Sequence, residues 1–406
     1  MMTTRTKQPP EARPLRIGIV VPHIFMHRDI LPHVIFSPAP LALSLADGLT
    51  VQGHHVSLFT PGPVATAAHN ITADLTGFEH ELALRGDTYM DLLRKHPLTF
   101  TTLARQVQSA LLARAYALAN TGGLDVVHVY TNEEELGLAF AELCRRPVVF
   151  THHDPYNFLA RYRAVFPHYA HVPMISLSMA QRAGMPADTN WVGNIYHGLP
   201  EAQLTPVARP ANNYVAYFGR IIEPKGVHLA IQAVRQYNRQ AARPLQLRLA
   251  GKHYSGQEKD TYWQRRIAPE LDDMISYAGF IPPAGRRAFL GNARALLVPS
   301  AFSEPFGMVV IEALACGTPV IALDSGSLPE LLTKPATGTV VAKVQDAAGT
   351  IDEAATAARL AEALEKITTF DRTACRRVFA ERFTAARMCR EHEAVYRRLT
   401  ALPDRF

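Results

Sequence analysis

Apolar residues in this chain fall into two patterns that take turns along it. Short continuous runs, at residues 15–21, 55–59, 125–129, 148–151, 173–176 and 190–195, read as strands buried on both faces of a parallel sheet. Between some of them lie segments whose apolar residues recur three and four apart, 39–51 and 88–119, which read as helices. Strand, helix, strand is the unit of a doubly wound α/β sheet. The pattern then starts again. Runs at 214–218, 245–250, 275–278, 295–298 and 320–323 predict a second set of strands, with helices at 227–236 and through 352–396. The proline-bearing, polar stretch 200–213 separates the two sets and reads as a linker.

Length agrees with two domains, since 406 residues exceed what one core usually serves. The organisation is therefore a polar tail without fold (1–14), a first Rossmann-like domain (15–203), a linker (204–213), a second Rossmann-like domain (214–378) and a closing helix (379–406). Hydrophobic residues at 48% and charged residues at 19% describe a globular chain, and no apolar run approaches the ~20 residues of a membrane span. The start carries no apolar block of a signal peptide. Four scattered cysteines, Cys144, Cys316, Cys375 and Cys389, have no paired spacing, which fits a reduced, cytoplasmic protein.

A net charge of +6 is modest for this length and gives no footprint for nucleic acid. Its main concentration is Arg376, Arg377, Arg382, Arg387, Arg390, Arg397 and Arg398, interleaved with Glu381, Glu391 and Glu393. That reads as a solvated helix face; the sharper alternative is weak peripheral contact with anionic lipid. Fourteen of the 17 histidines precede residue 200, yet no His-Glu-x-x-His, paired Cys/His spacing or Asp-x-Asp occurs, so no metal site and no cofactor is expected.

Chemistry concentrates in residues 300–319. A loop with Ser300, Ser303 and Glu304 turns into a helix near Gly307 that Gly317 and Pro319 stop. Nearly every residue from Phe306 to Cys316 is apolar, so the helix belongs inside the fold. Glu312 is the exception. A carboxylate there is costly unless something nearby supplies hydrogen bonds or positive charge, and an internal Arg or Lys is the plain reading. The free amides of Gly307, Met308 and Val309 at the helix start suit an anion, with phosphate the natural guess.

Glu304 and Glu312, set in Pro-Ser-x-x-x-Glu-Pro-Phe-Gly and followed by Glu-Ala-x-Ala-x-Gly-x-Pro-Val-Ile, closely resemble the signature of the retaining nucleotide-sugar glycosyltransferases of family 4 (glycosyl transferases group 1). The resemblance implies a GT-B fold: two Rossmann-like domains facing across a cleft, with the last helix returning to the first domain. It implies a nucleotide-sugar donor, an acceptor that is a glycan, lipid or small molecule, and metal-independent retaining transfer. Residue by residue, Glu304 would meet the donor sugar, Glu312 the ribose, Arg220 and Lys225 beside Gly219 the diphosphate, and the Ile281 backbone the base. His153 of Thr151-His152-His153-Asp154 resembles the active-site histidine, with Asp154 next to it and His152 packing behind. His197-Gly198 resembles the linker entry. His128 and the 152–154 triplet stand at predicted strand ends, where open α/β sheets bind ligands.

One stretch departs from the family. The turn after the first strand usually carries glycines, but residues 22–40 contain none and offer His23, His27, Arg28, Asp29 and His33 instead. Ser37 and Pro38 read as the N-cap and first turn of the next helix. Two other functions use similar parts, a GT-B sugar-nucleotide epimerase and an inactive nucleotide-sugar-binding module; a nicotinamide dehydrogenase would want Gly-x-Gly-x-x-Gly after a first strand, and neither set supplies it. Sugar, base, acceptor and oligomeric state are not readable from these residues.

Overall fold

A computed structural model describes residues 13–31, 34, 36–130, 134–207, 214–253 and 260–401. The tail to residue 12, the linker core 208–213 and His33 lie outside the described residues. The chain divides into two compact units, one built from the described residues of Met1–Thr151, His171–Pro173 and Glu393–Phe406, the other from His152–Ala170 and Met174–His392.

In the first unit, β1 (Arg16–Val20), β2 (His55–Thr60), β3 (His69–Thr72), β4 (Val126–Tyr130) and β5 (Val148–Thr151) form a parallel sheet in the order β3-β2-β1-β4-β5. Ile17 pairs with Val56 on one side and Val126 on the other, which centres β1. Every residue of β4 and β5 is buried, as their unbroken apolar runs require. Asp125 fastens the entry of β4 to β1: its carboxylate accepts from the Arg16 amide at 2.8 Å and the Arg16 guanidinium at 2.6 Å. Burial alone would raise that carboxyl, but the bonds from Arg16 and Arg13 hold it down at about 2.

Three elements here differ from the sequence expectation. The single helical region 88–119 is two helices, Tyr89–Lys95 and Pro97–Asn120, because Pro97 interrupts it, and a further helix, Thr76–Arg85, precedes it and ends at Gly86 in the left-handed region. Strand β3 has no long apolar run, and it is short. Ser37 precedes the helix Pro38–Val51 in helical geometry and makes no side-chain cap, so Pro38 at the first position starts that helix without it.

The second unit holds the parallel pair β6 (Met174–Ser176) and β7 (Trp191–Asn194), and a six-stranded parallel sheet. That sheet comprises β8 (Tyr214–Phe218), β9 (Gln246–Ala250), β10 (Ile275–Tyr277), β11 (Leu296–Val298), β12 (Val320–Leu323) and β13 (Gly338–Val341), in the order β10-β9-β8-β11-β12-β13. Alternation sorts its two faces. Val215, Tyr217, Leu297, Ile321 and Leu323 pack in one apolar layer with the helices Val227–Asn238 and Glu353–Glu365. Tyr214, Ala216, Leu296, Val298, Val320 and Ala322 pack in the other, with Pro283–Gly291, Met308–Ala315 and Arg372–Arg382. The helical stretch 352–396 likewise resolves into Glu353–Glu365, Arg372–Arg382 and Ala385–Thr400.

The end of that last helix belongs to the first unit. There the Tyr396 hydroxyl meets His128 Nδ1 at 2.6 Å, while His128 Nε2 meets the Thr151 hydroxyl at 2.8 Å. His128 therefore sits mid-strand and fully buried, a clamp for the terminal helix, and the expectation that it stands at a ligand-facing strand end is corrected.

Most of the C-terminal arginines are spent within the fold. Arg376 donates to Leu204 O, Arg382 to Glu330 O, Arg387 to Glu391 and to Tyr196 O, and Arg397 to Glu393. All four cysteines are buried free thiols. Burial pushes Cys316, Cys375 and Cys389 up to about 12, which keeps them protonated and inert. Among the described residues, no helix is long and apolar enough to cross a membrane.

Candidate active site

The site grows from two loops of the second unit that touch through their backbones. After β8, residues 219–226 turn back through a 3₁₀ turn, Glu223–Lys225, into the helix Val227–Asn238. Gly226 makes the turn at φ +66°, and a Cβ there would run into the Pro299 carbonyl oxygen. The Pro224 carbonyl accepts from the Ala301 amide at 2.9 Å, so the turn is bolted to the loop that leaves β11. On the other side, Ser327 N donates to Glu304 O at 3.0 Å, and Gly326, at φ +56°, lies where a side chain would strike the Glu304 backbone.

These contacts place Glu304, buried, against the Lys225 ammonium, which forms an ion pair with its Oε1. Ser300 Oγ donates to the same oxygen at 2.6 Å. Lys225 also lies 4.6 Å over the Phe302 ring. Burial draws its ammonium below the usual lysine value and Glu304 opposes the fall. Oε2 of Glu304 takes no hydrogen bond among the described residues. The exposed Arg220 guanidinium likewise has no partner among them, and its charge is close enough to depress Lys225.

Three residues after Glu304, Gly307 at φ +94° caps the start of the helix Met308–Ala315. A Cβ on Gly307 would press on Leu328 Cδ2 at 2.8 Å. The amides of Gly307, Met308 and Val309 are those a helix start leaves without intrahelical carbonyls, and all three residues are half-buried. Glu312 follows on the buried face. Its Oε1 accepts from Arg286 Nη1 at 2.6 Å, which answers the demand for an internal cation. Burial raises the Glu312 carboxyl and Arg286 counters it. Oε2 of Glu312, too, takes no hydrogen bond among the described residues. Ile281 packs half-buried against the same apolar layer. Next to it, Phe280 is exposed beneath the Lys252 ammonium.

The Thr-His-His-Asp segment reaches this neighbourhood through aromatic contacts. His153 stacks on His197, with centroids 5.4 Å apart and planes within 8°, and His197 meets Phe306 edge-on at 4.8 Å. His197 is buried, and loss of solvent with the nearby His392 and Arg387 lowers it to about 3. It stays neutral and structural, as its resemblance to a linker entry implies. Asp154 accepts from the Tyr162 hydroxyl at 2.7 Å, and His152 is enclosed by Tyr162 and Phe166.

Sequence reasoning missed two residues. Arg286 lies in no motif, although the need for a cation beside Glu312 was readable. Glu330 lies in no motif either, yet its carboxylate accepts the amides of Met179 and Ala180 at 2.9 and 2.6 Å and the Tyr196 hydroxyl at 2.9 Å. With Ser178 Oγ donating to Pro305 O at 2.8 Å, it ties the 178–182 segment to the loop that carries Glu304. Among the described residues no three His, Cys, Asp or Glu side chains gather as metal ligands.

Residues 206–369 match the model of the family described as glycosyl transferases group 1. O-antigen chain mannosyltransferase B of Escherichia coli is 31% identical over 119 residues, 29% of this chain and 30% of that protein. Phosphatidyl-myo-inositol mannosyltransferase of Propionibacterium freudenreichii is 25% identical over 340 residues, 79% of this chain and 80% of that protein. The alignment thus takes in less than a third of the first relative and four fifths of the second. Among solved structures, Anabaena HepE, crystallised with UDP-glucose, superposes with a TM-score of 0.62 at 17% identity, covering 96% of this chain and all of that one. Residues 206–369 are thus similar to the glycosyl transferases group 1 family, and the chain has the GT-B fold of two Rossmann-like domains.

Proposed function

We propose that the protein is a retaining, metal-independent glycosyltransferase that moves a sugar from a nucleotide-sugar donor to a hydroxyl-bearing acceptor. One observation carries the reading. Glu304 and Glu312 flank the start of one helix, and each satisfies a single oxygen inside the protein, on Lys225 and Arg286, leaving Oε2 able to accept from ligand hydroxyls. Between them lie the amides of Gly307, Met308 and Val309, with Lys225 and the open cation Arg220 on the facing loop. Two carboxylates for hydroxyls at the ends and cations with amides between them match a sugar, a diphosphate and a ribose in that order.

In this reading the bond between the anomeric carbon and the diphosphate oxygen breaks, and its electron pair stays on the diphosphate. Arg220, Lys225 and the helix-start amides stabilise that growing charge. The acceptor oxygen bonds to the anomeric carbon on the same face and its proton passes to the leaving phosphate oxygen. Glu304 orients the sugar hydroxyls, Glu312 the ribose, Gly219 lets the backbone approach, Ile281 lines the base, and His153 with Asp154 faces the transferred sugar. UDP-glucose is the first donor to try, because HepE is crystallised with it.

The test is release of nucleoside diphosphate from a panel of UDP-, GDP-, ADP- and dTDP-sugars in excess chelator, with the product's anomeric configuration read by NMR. Turnover without metal and with retained configuration is expected. A requirement for added metal would overturn the metal-independent reading, and donor binding without any diphosphate release would leave a binding module.

A further inference from the structure

A second cavity lies in the second unit, apart from the residues of the donor site. It encloses about 320 Å³ between the helix Val227–Asn238, the π-helical turn Trp263–Ile267 and the helix Glu353–Glu365. Four arginines line it, Arg235 and Arg239 from the first helix and Arg265 and Arg266 from the turn. A π-turn is uncommon and frequently marks a functional position.

Their charges are not cancelled alike. Arg235 is held by Glu270 at 2.9 Å and Asp272 at 3.1 Å, and Arg266 by Glu353 at 2.6 Å. Arg239 and Arg265 are exposed and have no side-chain partner among the described residues. Arg239 alone would be an ordinary cation at a helix C-terminus. Arg265 comes from a different element, the π-turn, and lines the same cavity. Gln232 and Gln236 line the same cavity, and Gln232 Nε2 also donates to Glu353 at 3.5 Å.

We propose that this cavity binds a phosphoryl group carried on a small polyol, with Arg239 and Arg265 on the phosphoryl oxygens and the glutamines on the hydroxyls. Guanidinium groups match phosphate oxygens in pairs, and a cavity of this size is at the lower end of those that take small molecules. The phosphoryl group has two sources, a free sugar phosphate or an anionic lipid headgroup. This site does not depend on the donor assignment, since it shares no residue with it.

Titration calorimetry on the full chain with glucose 1-phosphate tests it, alongside flotation with phosphatidylcholine vesicles with and without phosphatidylglycerol. Arg239→Ala/Arg265→Ala should weaken binding roughly tenfold or more while leaving Tm unchanged, because neither side chain bonds to the fold. Arg220→Ala should bind as the wild type does. Arginine-dependent binding of either probe carries the proposal, and the probe that binds names the source. Wild-type affinity in the double variant, loss only in Arg220→Ala, or no binding of either probe would overturn it.

Discussion

Both units run their core strands in the same order, third-second-first-fourth-fifth, yet they leave the first strand differently. In the second unit the exit from β8 is punctuated by Gly219 and Gly226 and bolted to the loop after β11, so that Lys225 is delivered to Glu304. In the first, the exit from β1 has no glycine and closes on side chains. His23 accepts from the Phe25 amide, and His27 accepts from the Asp29 amide, packs on Tyr89 and occupies the space beside Gly62. The same topology thus supports two kinds of turn. One brings a cation to a buried carboxylate, and the other fills its own mouth with imidazole. Backbone punctuation, not strand order, separates the two turns.

The strongest way to break that comparison is to remove the delivered cations. Lys225→Ala and Arg220→Ala should each lower turnover by about 10²-fold or more, the scale expected when one group that stabilises a developing oxyanion is lost. Circular dichroism should stay as in the wild type. Near-normal turnover in either variant would sink the diphosphate assignment. Glu304→Ala should be as severe, because it removes the sugar contact and also leaves Lys225 half-buried without its partner.

A smaller effect separates the two kinds of glycine. Gly53, in the first unit, sits at φ +90° with nothing within 4 Å of a would-be Cβ, so Gly53→Ala should cost only the left-handed penalty of about 1 kcal/mol. Gly226→Ala adds the collision with Pro299 O and should cost about 3 kcal/mol, read as a shift of the denaturation midpoint. Equal shifts would mean the loop at Gly226 relaxes freely, and the bolted turn would then be wrong.

How far the sequence reached follows the same division. Strands buried on both faces are continuous apolar runs, and those at 148–151, 214–218 and 320–323 appear where the pattern puts them. Strands β3 and β13 were missed because His69–Thr72 and Gly338–Val341 are short and only partly buried, leaving little apolar signal. At the site, Gly307, Glu304 and Glu312 were readable as a motif because backbone and charge demands are local. Arg286 and Glu330 were not, because what makes them matter is a partner 26 residues away for one and about 150 for the other. His128 misled for the same reason, as Tyr396 is 268 residues distant.

Acid provides the finest probe of the difference between the units. In the first unit, His54 is lowered by burial but keeps Glu393 at 3.4 Å, which favours its charged form. In the second, burial and Arg387 lower His197 to about 3 and His392 to about 4, the His392 contact with the Met388 carbonyl opposing the fall only in part. Both stay neutral when folded, whereas an unfolded histidine takes a proton below about pH 6.5. The unfolded state then binds more protons, so stability is fully present above that pH and is lost as pH falls from 6.5 towards 4, at about 1.4 kcal/mol per pH unit for each histidine. The two tryptophans, Trp191 and Trp263, both lie in the second unit, so their fluorescence reports this unit alone. Denaturant midpoints followed by that signal should fall between pH 6.5 and 4.5, and His197→Asn should flatten the slope by about 1.4 kcal/mol per pH unit, whatever it costs at neutral pH. An unchanged slope in the variant would mean that His197 exchanges its proton with solvent in the folded state, and the sealed contact from His153 through His197 to Phe306 would have to be abandoned.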